Sequence, residues 1–247
     1  MINSLKNHPF SVEAFFNYSL VLSYALPKEK LSNLLPECLE PDTLHDRWAF
    51  LAVAMVDTKR LRPAGFPAFL GSDFFLTGYR VFVRYRSPSG KRLRGLYILG
   101  SQTNRRNMTL FGNLFSHYRY TTIDISRNVE GNVFRLHSEK AGLHVGVESG
   151  HEHVPLPSGS PFADWKEARR FAGPLPFTFS YHPDRREVLI IEGVREHWTP
   201  EPVIVTQHKV GFLSELGLQN DAVLANAFIV RHIPYLWKKG RTELWTP

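Results

Sequence analysis

Cysteine and long apolar runs are scarce in this chain, and each scarcity excludes a class of protein. The single cysteine, Cys38, cannot form an internal disulfide and has no second thiol for a cysteine-type zinc site. Apolar runs such as residues 49–56 are too short to cross a bilayer, and the N-terminus lacks the pattern of a secretory signal. We therefore expect a cytoplasmic protein with no membrane contact.

The familiar catalytic signatures are also missing. The chain contains no glycine-rich phosphate loop, no His-Glu-x-x-His helix and no Gly-x-Ser-x-Gly turn. These absences exclude the best-known nucleotide-binding, metalloprotease and hydrolase motifs, and we expect no cofactor.

The charge is basic but scattered. Thirty Lys and Arg residues against 23 Asp and Glu residues give a formal charge of +7. The cations occur as isolated pairs and as one loose cluster, residues 80–94, without a helix-turn-helix, zinc-finger or RNA-recognition pattern. Nucleic acid is therefore an unfavoured partner, although a basic module that binds nucleic acid or another protein remains an alternative.

Composition and periodicity predict one mainly β (α+β) domain over residues 1–247. Apolar residues make up 43% of the chain and charged residues 21%, as in ordinary globular proteins. In residues 75–86 the odd-numbered side chains share one face of a predicted strand and the even-numbered ones from Gly78 to Arg86 share the other. The turn at 87–90 predicts a hairpin with 93–99. The loop-like stretch 149–161 favours a long surface loop over a domain junction.

The remaining elements follow the same kind of pattern. Strands are predicted at residues 18–25, 48–56, 121–125, 131–138, 142–148, 177–181, 187–192, 203–208 and 225–235. Short helices are predicted after Pro27, within 104–118, from Ser160-Pro161 and within 209–218. Many short strands with a few helices indicate an antiparallel α+β or barrel plan.

The segment His151-Glu152-His153 is the most metal-like feature. Two histidines at i and i+2 on a strand point the same way and can chelate, but a third ligand is needed. The following Val-Pro-Leu-Pro sequence offers none. We therefore expect a solvated loop and no metal site.

The helix predicted within 104–118 carries polar groups at both of its ends. An arginine pair facing a cavity would suit a carboxylate, because the guanidinium fork matches its geometry. His117 could act as a general acid or base near neutral pH. The candidate ligand-binding residues are Arg105, Arg106, Asn113, Ser116 and Tyr118, with His117 as the candidate catalytic residue. The alternative is a surface helix whose arginines are solvated.

Several short motifs, in order along the chain, resemble a known family. They are Leu34-Leu35-Pro36-x-x-Leu39-Glu40-Pro41-Asp42, Arg62-Pro63-x-Gly65-x-Pro67, Tyr79-Arg80-x-Phe82-Val83 and Gly95-x-Tyr97, with Trp198 and the strand 227–231 in suitable places. This order resembles the domain of unknown function 2071 (YqjF-like) family of the acetoacetate decarboxylase-like superfamily. The resemblance implies a closed, strongly curved antiparallel β-barrel with a central cavity, often in a homo-oligomer.

The resemblance does not bring the decarboxylase mechanism with it. That chemistry needs a lysine amine that forms a Schiff base. Between Lys91 and Lys140 this chain has no lysine, so the helix within 104–118 cannot supply one. Related sequences carry a glutamate shortly before the Arg-x-aromatic-Val strand, whereas here only Asp73 lies nearby, where turn formation is its expected role.

Three functions therefore remain open. The first is a barrel cavity that binds a small organic acid, or another polar small molecule, through Arg105, Arg106 and His117. The second is a lysine-independent hydrolase, isomerase or lyase that uses His117 as acid and base. The third is the basic interaction module described above.

Overall fold

Fifteen strands account for most of the chain in a computed structural model that describes residues 5–172 and 175–246. The strands are β1 Val12–Pro27, β2 Leu39–Pro41, β3 Trp48–Pro63, β4 Ser72–Arg86, β5 Arg92–Thr103, β6 Tyr120–Thr122, β7 Ser126–Glu130, β8 Val133–Ser138, β9 Leu143–Glu148, β10 Phe177–His182, β11 Glu187–Arg195, β12 Glu201–Pro202, β13 Ile204–Val210, β14 Val223–Trp237 and β15 Arg241–Leu244. The mainly β prediction is confirmed.

Four short α-helices connect these strands in the described residues. They are α1 Lys28–Ser32, α2 Arg106–Phe115, α3 Trp165–Ala168 and α4 Gly211–Glu215. Single turns of 3-10 helix lie at Ala68–Leu70, Arg169–Phe171 and Pro183–Arg185. No helix within residues 5–172 and 175–246 is both long enough and apolar enough to span a membrane.

The strands form two sheets. The large sheet has the order β12-β14-β1-β3-β4-β5-β10-β11-β15, and β11 also pairs with β14, so the pairings from β14 to β11 form a ring. Most neighbours are antiparallel, and the β10–β5 pair is parallel. The small sheet has the order β13-β9-β8-β7 and is antiparallel throughout.

Alternation along β4 divides the interior into two apolar clusters. Odd-numbered side chains such as Phe75, Tyr79 and Val83 are buried in the cluster that also packs under the small sheet. Even-numbered Phe82 belongs to a second cluster with residues of β1, β3 and β14. The predicted hairpin of β4 with β5 is confirmed, with a register shift between Tyr79 and Arg80.

One predicted helix start was wrong. Ser160-Pro161 resembles a cap, but the hydroxyl of Ser160 donates to the carbonyl of Ala225 at 2.8 Å, which fixes this loop against β14. Helix α3 begins later, where the Asp164 side chain accepts a hydrogen bond from the Glu167 backbone N–H at 2.8 Å. A tertiary contact therefore overrides the local signal.

Candidate functional site

A cavity of about 310 Å³ lies between helix α2 and the even-numbered face of β4. Its lining residues come from the N-terminal segment, β1, β3, the β3–β4 connection, β4, α2 with the residues just before and after it, β6 and β14. They are His8, Pro9, Phe10, Val12, Phe16, Thr58, Leu61, Arg62, Pro63, Leu70, Ser72, Asp73, Phe74, Leu76, Arg80, Arg105, Asn107, Met108, Phe111, Gly112, Phe115, Ser116, Tyr118, Tyr120 and Trp237. Most are apolar, which is typical of small-molecule sites.

Helix α2 is held over the cavity by its own residues. Asn113 donates from its side-chain amide to the Tyr120 carbonyl at 2.9 Å and accepts from the Tyr120 N–H at 2.7 Å. Gly112 lets the helix approach β6 closely, because a Cβ there would overlap the Tyr120 ring. The hydroxyl of Ser116 donates to the Gly112 carbonyl at 2.7 Å and ends the helix. These contacts fix the wall of the cavity.

Arg80 lines the cavity, and the residue is partly buried. Its Nε is inaccessible to solvent and has no hydrogen-bond partner among the described residues. The residues opposite it on the neighbouring strands, Ala52 of β3 and Ile98 of β5, are apolar and cannot balance its charge. Burial lowers the pKa of Arg80 below its ordinary value. A buried cationic donor without a partner is costly, and an anion in the cavity would remove that cost.

Gly78 makes room for this guanidinium group. The two residues share a face of β4, and a Cβ at position 78 would lie 3.0 Å from Nε and 3.2 Å from Nη2 of Arg80. The glycine therefore allows the arginine side chain to fold back along its own strand.

Phenol groups surround Arg80. Burial raises the pKa of Tyr118, and it raises the pKa of Tyr120 to about 12, with the cationic Arg80 acting in the opposite direction on both. The hydroxyl of Tyr118 is buried, and the Thr178 side chain lies near it, but no described residue makes a hydrogen bond of normal geometry with it. Tyr235 also lies near Arg80, but its hydroxyl already accepts from Arg195 at 2.7 Å. Both phenols of the cavity are neutral donors at physiological pH.

The mouth of the cavity carries both charge and exposed apolar surface. Arg105 is exposed and lines the opening. The carboxylate of Asp73 is already engaged, since it accepts from the Arg60 N–H at 2.8 Å and lies 3.5 Å from the Lys59 ammonium. Leu70 of the β3–β4 connection and Phe111 of α2 line the cavity and are exposed, and Phe66, Phe69 and Leu110 are further exposed apolar side chains of the same two segments.

The structure brings together three of the six predicted site residues. Arg105, Ser116 and Tyr118 line the cavity, whereas Arg106, Asn113 and His117 lie outside its lining. Arg106 is exposed, and both hydrogen-bonding ends of the Asn113 side chain are used by the backbone of Tyr120. Ligand binding by these residues stays a prediction.

His117 points to a different environment from Tyr118. Its Nε2 lies 3.4 Å from Oδ1 of Asn7, and its ring centroid lies 4.5 Å from that of His182. Burial, with help from His182 and Lys6, lowers the pKa of His117 to about 4. The imidazole is therefore neutral at pH 7 and donates a proton poorly.

Arg80 and Tyr120 are two polar cavity residues that were not among the site residues predicted from the sequence. The sequence placed Arg80 on the polar face of a strand, where solvated arginines are common. The informative signal was an arginine at mid-strand on the same face as Gly78, with apolar cross-strand neighbours instead of carboxylates.

Two further features considered in the sequence analysis are the missing lysine and the pair His151 and His153. None of the described residues that line the cavity is a lysine. His151 and His153 are exposed, and Nε2 of His151 lies 3.6 Å from the Glu148 carboxylate. In the described part of the chain, the group of three metal-ligating side chains that lies close together is His137, Glu139 and His144, and it does not include His151 or His153.

Solved structures with this architecture define the class. An acetoacetate decarboxylase from Legionella pneumophila is 12% identical, with a TM-score of 0.61, over 95% of this chain and 88% of that chain. An acetoacetate decarboxylase-like enzyme from Sphingomonas wittichii is 11% identical, with a TM-score of 0.61, over 98% and 96%. The enduracididine biosynthesis enzyme MppR, complexed with the condensation product of pyruvate and imidazole 4-carboxaldehyde, is 11% identical, with a TM-score of 0.59, over 95% and 89%. The fold is thus acetoacetate decarboxylase-like.

Within that class the family is also defined. Residues 14–237 match the domain of unknown function 2071, described as an uncharacterized conserved protein, and the chain belongs to this family. The resemblance drawn from the sequence motifs is thereby confirmed. No curated protein matches the chain significantly.

Proposed function

We propose that this protein binds a small organic acid with an apolar body, whose carboxylate pairs with Arg80 in the cavity. The observation that carries the proposal is the guanidinium group of Arg80, which belongs to a side chain of the cavity lining and whose buried Nε has no hydrogen-bond partner among the described residues. A carboxylate accepts two parallel hydrogen bonds from a guanidinium group, so it matches this donor in both charge and geometry. The unpartnered hydroxyl of Tyr118 is a second donor beside it.

The size and lining of the cavity restrict the ligand. A volume of about 310 Å³ is at the lower end of the range for small-molecule sites, about 300–1,000 Å³. Side chains such as Phe16, Phe74, Leu76 and Met108 favour an apolar body. The exposed apolar groups at the mouth support a ligand whose far end reaches the opening, where Arg105 would attract the anion as it approaches.

We infer that the ring of strand pairings is the closed barrel that the family resemblance implies. In that arrangement α2 closes one side of the ligand space. The similar structures include one complexed with a product derived from pyruvate, which supports an acid ligand for this chain by analogy of fold. The predicted homo-oligomer and cytoplasmic location remain predictions.

Binding is favoured over chemistry based on His117. A histidine outside the lining, with a pKa lowered to about 4, is poorly placed to exchange protons with a ligand beside Arg80. Schiff-base chemistry would need an amine that the lining lacks among its described residues. A lysine-independent reaction in this cavity would instead have to use Arg80 and the tyrosine hydroxyls.

The test is a titration of the purified protein with a series of carboxylic acids of increasing chain length. Each acid is compared with the primary alcohol of the same skeleton, by calorimetry and by thermal unfolding. We expect acids to bind and alcohols to bind weakly, because only the carboxylate satisfies Arg80. In Arg80→Met the affinity for acids should fall by about 10–150-fold, as expected for loss of a charged hydrogen bond of about 1.5–3 kcal/mol.

Arg106→Met is the matched control, because Arg106 is an exposed arginine outside the cavity lining. Its affinity should equal that of the wild type. Equal binding by Arg80→Met and wild type, or loss of binding in Arg106→Met alone, would show that the anion sits elsewhere.

A further inference from the structure

We propose a divalent metal site on the outer face of the small sheet, formed by His137 and His144 and oriented by Glu139. The two histidines are directly paired across the antiparallel strands β8 and β9. Their Nδ1 atoms lie 3.0 Å apart. One ligand atom from each of the three residues falls within 4.8 Å of the others.

The distance between the imidazoles suits chelation. Two nitrogens bound tetrahedrally to one zinc ion at about 2.0–2.1 Å stand about 3.3–3.4 Å apart. The observed 3.0 Å separation therefore needs to open by only a few tenths of an ångström. Both side chains are on the surface of a paired hairpin, so a rotation about each χ angle is sufficient, and no strand must move.

Glu139 determines which nitrogen of His137 is free. Its Oε1 lies 3.0 Å from Nε2 of His137, so Nε2 carries the proton and Nδ1 presents its lone pair. That lone pair accepts the Nδ1–H of His144 in the metal-free protein. A carboxylate that accepts from the far nitrogen of a metal-binding histidine is the usual outer partner of such ligands.

Two neutral imidazole rings can bind the metal ion without a net release of protons. His144 must move its proton from Nδ1 to Nε2, through solvent, before Nδ1 can bind the ion. His137 already has the required tautomer. The metal would then have two imidazole ligands, a donor type that suits Zn²⁺ and similar borderline cations, and water in its remaining positions. With fewer protein ligands than the three or four of ordinary zinc sites, the ion should bind more weakly and exchange more readily than in those sites.

The side chains around the two histidines carry charges of both signs. Ser126 of β7 is paired with His137, and Lys209 of β13 is paired with His144, so both lie in the same row across the sheet. The Lys209 ammonium repels a metal, whereas the Glu139 carboxylate offsets that charge. The buried side chains Leu136 and Val145 lie on the opposite face and anchor the hairpin in the core.

This site is separate from His151 and His153, where the sequence analysis expected a solvated loop and no metal. The sequence signal it offers is two histidines seven residues apart around a short turn, which only the strand register brings together. It is also independent of the cavity, because none of its three residues lines that space.

The experiment uses full-length protein freed of metal by a chelator and then dialysed against increasing ZnCl₂. Bound zinc is measured by elemental analysis, and thermal unfolding is followed in parallel. We expect one equivalent of zinc with a rise in Tm. His137→Ala and His144→Ala should each lose the bound zinc, and Glu139→Ala should bind about 10–100-fold more weakly. Lys209→Gln should bind more tightly, since a repelling charge is removed.

The double variant His151→Ala/His153→Ala is the control, and it should bind zinc as the wild type does. Circular dichroism of each variant verifies that it is folded. The proposal is overturned if the wild type binds no zinc, or if the control loses binding while His137→Ala and His144→Ala retain it.

Discussion

Adjacent residues of β4, Tyr79 and Arg80, meet opposite physical conditions. Tyr79 is fully buried, stacks on Phe212 with ring centroids 3.9 Å apart, and donates its hydroxyl to Gln102 at 2.7 Å. Arg80 faces a cavity, and its Nε has no partner in the described part of the chain. Tyr79 thus uses its interactions for folding, whereas the Nε of Arg80 leaves its hydrogen bond unmade. Unmade interactions in a cavity are available to a ligand.

The largest expected effect comes from comparing side-chain truncations on the two faces of β4. Phe75→Ala, on the packed face, should lower the free energy of unfolding by about 3–5 kcal/mol, because it leaves a cavity in a filled core. Leu76→Ala, on the cavity face, should lower it by about 2 kcal/mol or less, since that side chain already borders empty space. Urea denaturation measures both. Equal losses would mean that the two faces are packed alike.

The next largest effect is expected for two arginines on the even-numbered face of β4, Arg80 and Arg84. Their substitution should change the free energy of unfolding in opposite directions. Arg84 lies on the same face as Arg80, but its Nε donates to the buried Asp42 at 2.6 Å, and Arg94 donates to the same carboxylate. Arg80→Met removes an unsatisfied buried donor and should raise the free energy of unfolding by about 1–2 kcal/mol. Arg84→Met removes a partner of Asp42 and should lower it by about 1–3 kcal/mol.

The readout for both variants is chemical denaturation without any acid ligand. If both substitutions were destabilising by similar amounts, Arg80 would have a partner in solution and would not be free for a ligand. With a saturating acid present, the stability advantage of Arg80→Met over the wild type should disappear, because binding stabilises only the wild type.

The β elements were largely predictable from the sequence, because alternation and turn residues report burial directly. Residues 75–86 and the turn at 87–90 gave the β4–β5 hairpin with its correct faces. The strand β7 was missed, since all five of its residues are exposed and it has no apolar alternation. Local signals also failed at Ser160, where a contact with β14 replaced the expected helix cap.

The sequence predicted helix α2 in the cavity wall better than it predicted which side chains line the cavity. The sequence identified α2 and its flanking polar residues, but it could not tell which of them point inward. Arg105 and Arg106 are adjacent and chemically identical, yet only Arg105 lines the cavity. Arg80 becomes a candidate only when its cross-strand neighbours, Ala52 and Ile98, are known, and that register is a property of the fold.

Substitution of Gly78 should have a smaller effect than the arginine substitutions, and it should act on acid binding more than on stability. In Gly78→Ala the new Cβ would stand 3.0 Å from Nε of Arg80, so the guanidinium group must shift. We expect acid binding to weaken by about tenfold, equivalent to about 1.4 kcal/mol, with little change in stability. Calorimetric titration with the acid series measures the affinity. A control is Gly90→Ala, at an open turn remote from the cavity; unchanged acid affinity in Gly78→Ala would separate the glycine from Arg80.

The smallest expected effect is a pH dependence at His117, which like Tyr79 lies next to a cavity residue but outside the cavity. Its pKa is lowered from 6.5 in the unfolded chain to about 4 in the folded protein, by burial first and then by His182 and Lys6. The unfolded chain therefore gains a proton between pH 6.5 and 4 that the folded protein does not. Stability is complete above pH 6.5 and falls by roughly 1–2 kcal/mol toward pH 4, after allowance for the partial exposure of the ring.

His117→Gln should flatten this part of the stability curve, whereas the exposed His151→Gln should leave it unchanged. The measurement is urea denaturation at several pH values between 4 and 7.5, comparing each variant with the wild type at the same pH so that the contribution of His182 cancels. Parallel curves for wild type and His117→Gln would show that the imidazole is solvated. In that case the wall between the cavity and the His117 side is open, and the contrast between neighbouring residues fails at this edge of the molecule.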